Sequence, residues 1–476
     1  MSPDYRPGLA GTMACAGLVM AVATMLMFAG LGRIRAPIWD ESYYIPAVAR
    51  MEGGQAQFAA HPPLGLMLIA AGDWLTGDNA GIDMRAVMAT KAIAAERMPA
   101  GYRYAGPRHA SALAGVIAAG LFFLLVVALT NSLWTGLLAS TLTLFDTALI
   151  AQFRAGHLDA FQLLFVLAAL LCLVRACGTR SGKAEIGLGM ALAAATLVRA
   201  NGLVLLLPVL MPVALAARSD GRQEALRVAW RIAGSALATA LLVMALWIST
   251  CRQPPVAGTP AGDADRRAMT ETARQWADHE RDMSGRVMLG LVESYRRFIA
   301  ADLAGTPRGD ANGSAPGEWL IGQRPITFRW DAEGGKVAYL TLTPNLIAWL
   351  VSLAGVVEGV GLLATRRATT RDAPLVAALL LLWGGAMLLH LLLAETRVMY
   401  LYHHLIALVA GQALAVMALA YLSGVWRERL SIVVAALALA HFFAAAPLAF
   451  HRPLTAGECA WREAAGMIAA CVEVRG

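Results

Sequence analysis

Long apolar runs dominate the chain, and the short loops between them hold much of its charge. A helix needs about 20 mostly apolar residues to cross a bilayer. The runs therefore predict eleven membrane-spanning helices, with the fifth and sixth separated only by residues 199–201. The predicted spans are roughly 11–30, 108–130, 133–151, 159–176, 185–199, 201–217, 231–250, 343–364, 374–394, 398–422 and 430–449.

The composition agrees with a membrane protein. Of the 476 residues, 58% are hydrophobic and only 15% are charged, whereas soluble domains carry about 25% charged residues. Helices are expected because a spanning helix satisfies its own backbone hydrogen bonds, and the continuous apolar runs do not alternate as barrel strands do. The net charge of +7 is not read as a nucleic-acid signal, because much of it lies in short inter-span loops. Six cysteines without CxxC spacing argue against a zinc or redox motif.

Basic residues follow the fourth, sixth, eighth and tenth predicted spans, which places these loops in the cytoplasm. The chain is then expected to be N-in and C-out in a bacterial inner membrane. We predict a transmembrane domain over 1–450, with external segments at 31–107 and 251–342, and an external tail over 451–476. The basic residues that set this orientation are Arg180, Lys183, Arg218, Arg222, Arg227, Arg366, Arg367, Arg371, Arg427 and Arg429.

The external segments show few regular patterns. Residues Pro63–Trp74 form an apolar stretch too short to cross, which predicts an interfacial or re-entrant helix. We predict no strand in residues 251–342. Cys459 and Cys471 are predicted outside, where they either form a disulfide or stay as two ordinary thiols.

Several charged and polar residues are predicted to lie together at the external face of the membrane. Carboxylates follow the first span, and others interrupt the third span or begin the fourth. A carboxylate near apolar surface has a raised pKa and can act as a base, and intramembrane charges are usually paired or functional. For Asp146 and Arg154, a buried ion pair joining two helices is as good a reading as a direct catalytic role. The residues at this face are Asp40, Glu41, His61, Asp146, Arg154, His157, Asp159 and Arg199.

The tenth span begins on the same face with Tyr400, His403 and His404. Consecutive helical residues point about 100° apart, so at most one of the two histidines is expected to face a site. His390 and His441 are assigned to helix packing, and Glu358 fits no site.

These residues resemble a known family, the protein O-mannosyltransferases. The resemblance begins with Trp39–Tyr44 and His61–Gly65, which are similar to the family's first external loop, and continues in its order along most of the chain. It implies the GT-C fold, an all-α membrane architecture with eleven spans and interfacial helices in the first loop. The chain departs from the family by having no room for a β-trefoil domain, by His403-His404 in place of His-Tyr, and by Arg199 where a lysine is expected. The further matching segments are Asp146, Gln152–Arg154, Leu158–Ala160, Trp319-Leu320, Arg324–Ile326, Pro344-Asn345 and Tyr400–His404.

The resemblance implies transfer of mannose from a polyprenyl phosphate to Ser or Thr hydroxyls of exported proteins, with inversion. Asp40 is then the expected base, with Glu41 and His61 positioning the acceptor. Arginine suits the leaving phosphate, and Arg154 is the first choice, with Arg199 second.

Substrate-binding roles are also expected for Asp146, Asp159, Tyr400, His403 and His404. No cofactor is required in this scheme. A divalent cation held by Glu41 and His61 is the less favoured variant, since no third ligand is visible.

Two other classes remain open at this stage. One is a glycosyltransferase that acts on lipid A or a glycan, like the aminoarabinose transferases, which share the fold. The other is a lipid or solute transporter whose intramembrane charges form a pathway. The two large external segments and the absence of repeated halves favour the enzyme.

Overall fold

The structure is a computed structural model that describes residues 7–279, 282–305 and 309–472. It is mostly helical, with a small three-stranded sheet. The helices are α1 (Leu9–Phe28), α2 (Glu41–Glu52), α3 (Leu64–Thr76), α4 (Arg85–Met88), α5 (Ala105–Thr130), α6 (Leu133–Leu144), α7 (Thr147–Phe153), α8 (Asp159–Thr179), α9 (Gly182–Val198), α10 (Leu206–Ser219), α11 (Arg222–Thr250), α12 (Pro260–Ala268), α13 (Glu271–His279), α14 (Gly285–Leu303), α15 (Leu346–Ala364), α16 (Ala373–Ala394), α17 (Leu405–Leu419), α18 (Gly424–Ala449) and α19 (Ala456–Ala464).

Short 3₁₀ turns and strands complete the described chain. The 3₁₀ turns at Ala200–Leu205 and Leu401–His404 lead directly into α10 and α17, and two others lie in the external segments. The strands are β1 (Ile326–Glu333), β2 (Lys336–Leu342) and β3 (Pro453–Leu454). They pair antiparallel in the order β1-β2-β3.

Nine helical segments of the described residues are long and apolar enough to cross a membrane, or ten if α6 and α7 count as one broken span. The chain is therefore a multi-pass membrane protein, as the apolar runs predict. The fifth predicted span forms α9, whose 17 residues reach about 26 Å at 1.5 Å per residue, slightly less than the roughly 30 Å hydrocarbon core. The count of eleven and the N-in/C-out orientation stay predictions.

The third predicted span is broken rather than continuous. Helices α6 and α7 meet at a bend of 64°, where Asp146 caps α7 by accepting from the Ala148 backbone N–H at 2.9 Å. A short polar side chain that accepts from the second residue of the next helix favours a new helix start over continuation. The apolar run alone does not reveal this break.

The apolar stretch in the first external segment forms α3, which packs against α5 and α9. Gly72 permits this approach, because a Cβ there would lie 2.7 Å from the Cβ of Ala110 on α5. Trp74 and Leu75 at the end of α3 are exposed. An amphipathic end of this kind suits a membrane interface.

A buried carboxylate joins the two external segments. Asp265 on α12 accepts from Lys91 Nζ at 2.6 Å and from the Phe58 backbone N–H at 3.1 Å. Tyr295 on α14 donates its hydroxyl to the backbone oxygen of His61 at 2.8 Å. The second external segment thus holds the His61 loop in place.

The strands β1 and β2 are a difference from the sequence prediction, which expected none in residues 251–342. They form a hairpin whose two-residue turn is Gly334-Gly335, both with positive φ (55° and 73°). Two adjacent glycines are a recognised hairpin turn signal, since both positions need positive φ. The tail packs on this sheet through β3, and the Cys459–Cys471 disulfide is formed.

Candidate active site

The segment before α2 leaves one partly buried carboxylate with few hydrogen bonds. Trp39 has a positive φ of 50°, an uncommon conformation for a bulky residue. Asp40 follows as the N-cap of α2, and it accepts one hydrogen bond among the described residues, from the Tyr44 hydroxyl at 3.3 Å. The Trp39 ring packs against Phe328 of β1 and Tyr400. Asp40 is thus held by its backbone while its carboxylate keeps acceptor capacity.

The neighbouring carboxylate is buried and fully engaged. Glu41 is 1% exposed, and Arg108 at the start of α5 is completely buried. Arg108 Nε and Nη2 each donate to Glu41 at 2.7 Å. The backbone N–H groups of Gly156 and Ile38 also donate to it, both at 2.7 Å. Four donors leave Glu41 no free lone pair directed at a substrate, so it anchors the loop that carries Asp40.

A second cluster surrounds Arg199, at the junction of α9 and α10. Its guanidinium forms a buried ion pair with Asp159, the first residue of α8. Arg199 Nη2 also lies 3.4 Å from His61 Nε2, and its Cζ lies 5.4 Å from the centre of the Tyr402 ring. The charges of Arg199 and Asp159 both act on Asp40. The structure therefore brings Asp40, His61, Asp159 and Arg199 together, although they lie far apart in sequence.

Aromatic rings line this cluster where α17 begins. Tyr402 and His403 have ring centroids 4.7 Å apart, and Tyr400 stacks on Tyr402. Tyr400 also donates its hydroxyl to Asp310 at 2.9 Å. His404 points elsewhere, since it is buried against Trp349 at 5.0 Å. Only His403 of the two histidines accompanies Tyr402 beside Arg199.

Asp146 and Arg154 do not pair with each other, so the ion pair considered from the sequence is not formed. Asp146 accepts from the Asn345 backbone N–H at 3.0 Å and from Trp349 Nε1 at 2.9 Å. These bonds, with its cap of α7, join α7 to α15. Arg154 instead donates to the Leu26 backbone oxygen at 2.9 Å, at the end of α1. Both side chains are engaged outside the Asp40 and Arg199 cluster.

The pKa values of Asp40, Glu41 and His61 are shifted in different ways. Burial raises the pKa of the Asp40 carboxyl above its ordinary value, although His157 and the Arg199 guanidinium act in the opposite direction. Burial alone would raise the pKa of Glu41 too, but the Arg108 guanidinium holds it below its usual value. Burial and the Arg199 charge lower the pKa of His61 well below its usual range. A neutral His61 ring can accept a hydrogen bond from Arg199.

The donor set does not fit the metal site considered for Glu41 and His61. Four N–H groups already occupy the Glu41 carboxylate. In the part of the chain that the structure describes, no three His, Cys, Asp or Glu side chains are grouped as metal ligands.

Sequence reasoning missed two partners that shape this site. Arg108 begins a predicted span, and a charged residue at that position is a signal for a buried pair. Gln152 donates Nε2 to Asp159 at 2.8 Å and fixes the face of Asp159 that meets Arg199. Neither partner could be assigned from spacing, because Arg108 and Glu41 are 67 residues apart.

Residues 17–252 match the family model described as dolichyl-phosphate-mannose-protein mannosyltransferase. The matched segment covers just under half of the chain, which is similar to this family over its N-terminal part. The resemblance drawn from the Trp39–Tyr44 and His61–Gly65 motifs, which both lie in the matched region, is thereby confirmed. The polyprenol-phosphate-mannose–protein mannosyltransferase of Mycolicibacterium smegmatis is 29% identical over 183 residues. That match spans 36% of this chain and 31% of the relative, so it covers less than a third of that relative's length.

The architecture also matches solved mannosyltransferase and oligosaccharyltransferase structures. The S. cerevisiae protein O-mannosyltransferase Pmt1-Pmt2 complex bound to the sugar donor gives a TM-score of 0.75 at 13% identity, covering 96% of this chain and 94% of that chain. The Archaeoglobus fulgidus oligosaccharyltransferase tethered with an acceptor peptide gives 0.50 at 12% identity, covering 93% and 55%. At these identities the likeness concerns the fold. The chain has the GT-C fold that the resemblance of its motifs implies.

Proposed function

We propose that this chain transfers mannose from a polyprenyl phosphate to Ser or Thr hydroxyls of exported proteins, with inversion at the anomeric carbon. The observation that carries the proposal is the juxtaposition of Asp40 and Arg199. A carboxylate with spare acceptor capacity and a raised pKa lies beside a buried guanidinium. Transfer to a hydroxyl needs one group to take a proton and another to stabilise the leaving phosphate.

Asp40 is the base in this mechanism. It accepts the hydroxyl proton as the acceptor oxygen attacks the anomeric carbon from the face opposite the phosphate. The bond between that carbon and the phosphate oxygen breaks, and both bonding electrons leave with the polyprenyl phosphate. A pKa above the ordinary carboxyl value makes the carboxylate a stronger base.

Arg199 is the better candidate for the leaving phosphate, ahead of Arg154. Its guanidinium lies against Asp159 and His61 and its charge reaches Asp40. Arg154 is committed to α1 backbone oxygens and the Phe450 ring. Asp159 then orients Arg199, and the Tyr402 and His403 rings provide a wall for the sugar.

The site is also proposed to face the periplasm of a bacterial inner membrane. This follows from the basic loops after the even-numbered predicted spans. Exported polypeptides and lipid-linked sugars are both available there.

The experiment that tests the proposal is direct. Purified protein is incubated with radiolabelled polyprenyl-phosphate mannose and a Ser/Thr-rich peptide, with lipid A as the competing acceptor. Label in the peptide, with the anomer opposite to that of the donor, is expected. Label only in lipid A would replace the proposal by the glycolipid-directed alternative, and retained anomeric configuration would exclude Asp40 as the base of a single displacement. Asp40→Asn serves as the inactive control, and Asp83→Asn, at an exposed ion pair with Arg85, as the matched neutral change.

A further inference from the structure

Two arginines flank one aromatic ring at the ends of α7 and α18, and a third arginine at the end of α1 acts on one of them through its charge. The Cζ atoms of Arg154 and Arg452 lie 4.8 Å and 5.9 Å from the centre of the Phe450 ring. The charge of Arg33, just beyond α1, acts on Arg154, as does that of Arg108, which Glu41 neutralises. Helix α7 contacts both α1 and α18, so its last turn delivers Arg154 between their ends. We call Arg33, Arg154 and Arg452 the Phe450 arginine cluster.

Protein carboxylates do not neutralise this cluster. The nearby acids are already paired, Glu41 with Arg108, Asp159 with Arg199, and Asp331 with Arg329 and His451. Among the described residues, no carboxylate oxygen lies within 4.0 Å of the three guanidinium groups. Like charges held together repel one another unless an anion lies between them. The described part of the protein therefore supplies no counter-ion for this cluster.

Its position indicates the source of that anion. Arg33 and Arg452 are exposed, and Arg154 is partly buried. Below the cluster, α1 and α18 present exposed apolar side chains such as Met25 and Phe443, which suit acyl chains. Guanidinium groups at the end of such helices lie where lipid headgroups are found, and they bind phosphate through paired hydrogen bonds.

We propose that the Phe450 arginine cluster binds the phosphate of an anionic phospholipid whose acyl chains lie along α1 and α18. This site is separate from the Asp40 and Arg199 cluster and does not depend on the proposed function. Arg154 is already fixed by the α1 backbone oxygens at 2.9 Å and 3.3 Å. It provides the rigid part of the site, and Arg33 and Arg452 close on the phosphate from the solvent side.

The test compares lipid retention by wild-type protein and the Arg33→Gln/Arg452→Gln double variant, using native mass spectrometry of delipidated protein. Each sample is titrated with phosphatidylglycerol, phosphatidylcholine or polyprenyl phosphate. Wild-type protein is expected to prefer phosphatidylglycerol over phosphatidylcholine. Since a basic residue at a membrane surface contributes about fivefold to anionic-lipid binding, the double variant should lose at least about fivefold in phosphatidylglycerol affinity. Its binding of polyprenyl phosphate should not change.

The matched control is Arg274→Gln/Arg286→Gln, which removes the same charge from exposed positions in the second external segment. It should retain wild-type lipid selectivity. If the control loses as much phosphatidylglycerol affinity, the effect comes from net charge alone and the site is excluded. Unchanged phosphatidylglycerol affinity in the Arg33→Gln/Arg452→Gln variant would also exclude the site. Loss of polyprenyl phosphate instead of phosphatidylglycerol would assign the cluster to the donor. Mannosyl transfer is not the readout, so failure here leaves the proposed function untouched.

Discussion

Asp40 and Glu41 are adjacent in sequence but differ in what surrounds their carboxylates. Asp40 accepts one long hydrogen bond, whereas Glu41 accepts four short ones. A carboxylate that already accepts four hydrogen bonds has no lone pair left for a substrate proton. A carboxylate that accepts only one still has lone pairs available. The pair therefore divides into a base and an anchor, and substitutions should separate the two roles.

Asp40→Asn keeps the size of the side chain but removes its capacity to accept a proton. We expect transfer to fall by about 10²–10⁴-fold, with donor binding and melting temperature close to wild type. Initial rates, donor affinity and thermal unfolding in detergent are measured on the same preparations. Loss of activity in proportion to loss of stability would assign Asp40 a structural role.

The acid side of the rate profile offers a second measurement on Asp40. A base works only when deprotonated, so the rate should fall as pH drops through the pKa of Asp40. Because burial raises that pKa, the fall should begin at a higher pH than an ordinary aspartate would give. A flat profile down to the ordinary aspartate range would contradict the assignment.

Glu41→Gln should reduce stability rather than chemistry alone. The substitution leaves the Arg108 guanidinium buried without its counter-charge and turns one acceptor into an N–H₂ group that faces other donors. Breaking a buried ion pair from one side costs about 3–5 kcal/mol. Thermal unfolding and yield of folded protein report it, with Glu293→Gln at an exposed pair as the control. A normal melting temperature with weakened acceptor affinity would restore the positioning role expected from the sequence.

Arg199→Lys tests whether the geometry of the cation matters. Lysine keeps the charge but loses the planar fork that binds phosphate oxygens in pairs. A charge-assisted hydrogen bond contributes about 1.5–3 kcal/mol, so donor affinity or transfer should fall roughly 10–100-fold. Arg397→Lys, at a partly exposed pair with Asp302, is the matched control. Near-normal transfer by Arg199→Lys, together with failure of Arg154→Lys, would return the phosphate role to Arg154.

At the level of residues, the sequence indicates which side chains share a face but not which of them touch. Asp40, His61, Asp159 and Arg199 were all expected at one end of the bundle, and the structure brings them together. Asp146 and Arg154 were expected there for the same reason, yet each is bonded to a helix end instead. Their partners are backbone groups, such as those of Asn345 and Leu26. Every residue has such groups, so the sequence does not indicate which of them will bind a given side chain.

At the level of elements, the length of each apolar run predicted the long helices well, because the thickness of the bilayer sets the length of a spanning helix. It did not predict the break between α6 and α7, which depends on one polar side chain, Asp146, capping a new helix. The β1–β2 hairpin was also missed, although Gly334-Gly335 was a readable signal. A second signal lies in β1, because residues Ile326–Glu333 alternate apolar and polar side chains, whereas β2 is buried on both faces and shows no such alternation.

The C-terminal tail is an element whose attachment can be measured. Its disulfide joins Cys459 and Cys471, which are 12 positions apart in sequence. The Tyr339 hydroxyl on β2 also accepts from the Val472 backbone N–H at 2.7 Å. A loop of this size contributes about 2–3 kcal/mol to stability. The Cys459→Ser/Cys471→Ser variant should therefore release the tail from β2, seen as faster proteolysis within residues 456–472. Cleavage elsewhere should not change, and identical tail cleavage would mean that packing alone holds it.

For the whole molecule, the basic loops after the even-numbered predicted spans predict a single orientation. The β1–β2 hairpin and the loop of Asp40 belong to the same end of the bundle, since Phe328 packs on Trp39. The basic residues near Arg222 belong to the opposite end if α10 and α11 both span. A topology measurement therefore tests the predicted orientation and the placement of the site at once.

We expect a cysteine at Glu333, exposed near the tip of the hairpin, to react with a membrane-impermeant maleimide added outside intact spheroplasts. A cysteine at Arg222, exposed at the start of α11, should react only after lysis. The background protein carries serine at the four free cysteines, Cys15, Cys172, Cys177 and Cys251, so that each signal has one source. The reverse pattern would place Asp40 in the cytoplasm, where exported acceptors are not yet translocated. Labelling of both positions from outside would instead mean that α10 and α11 do not cross as a pair, and the span count would have to change with the orientation.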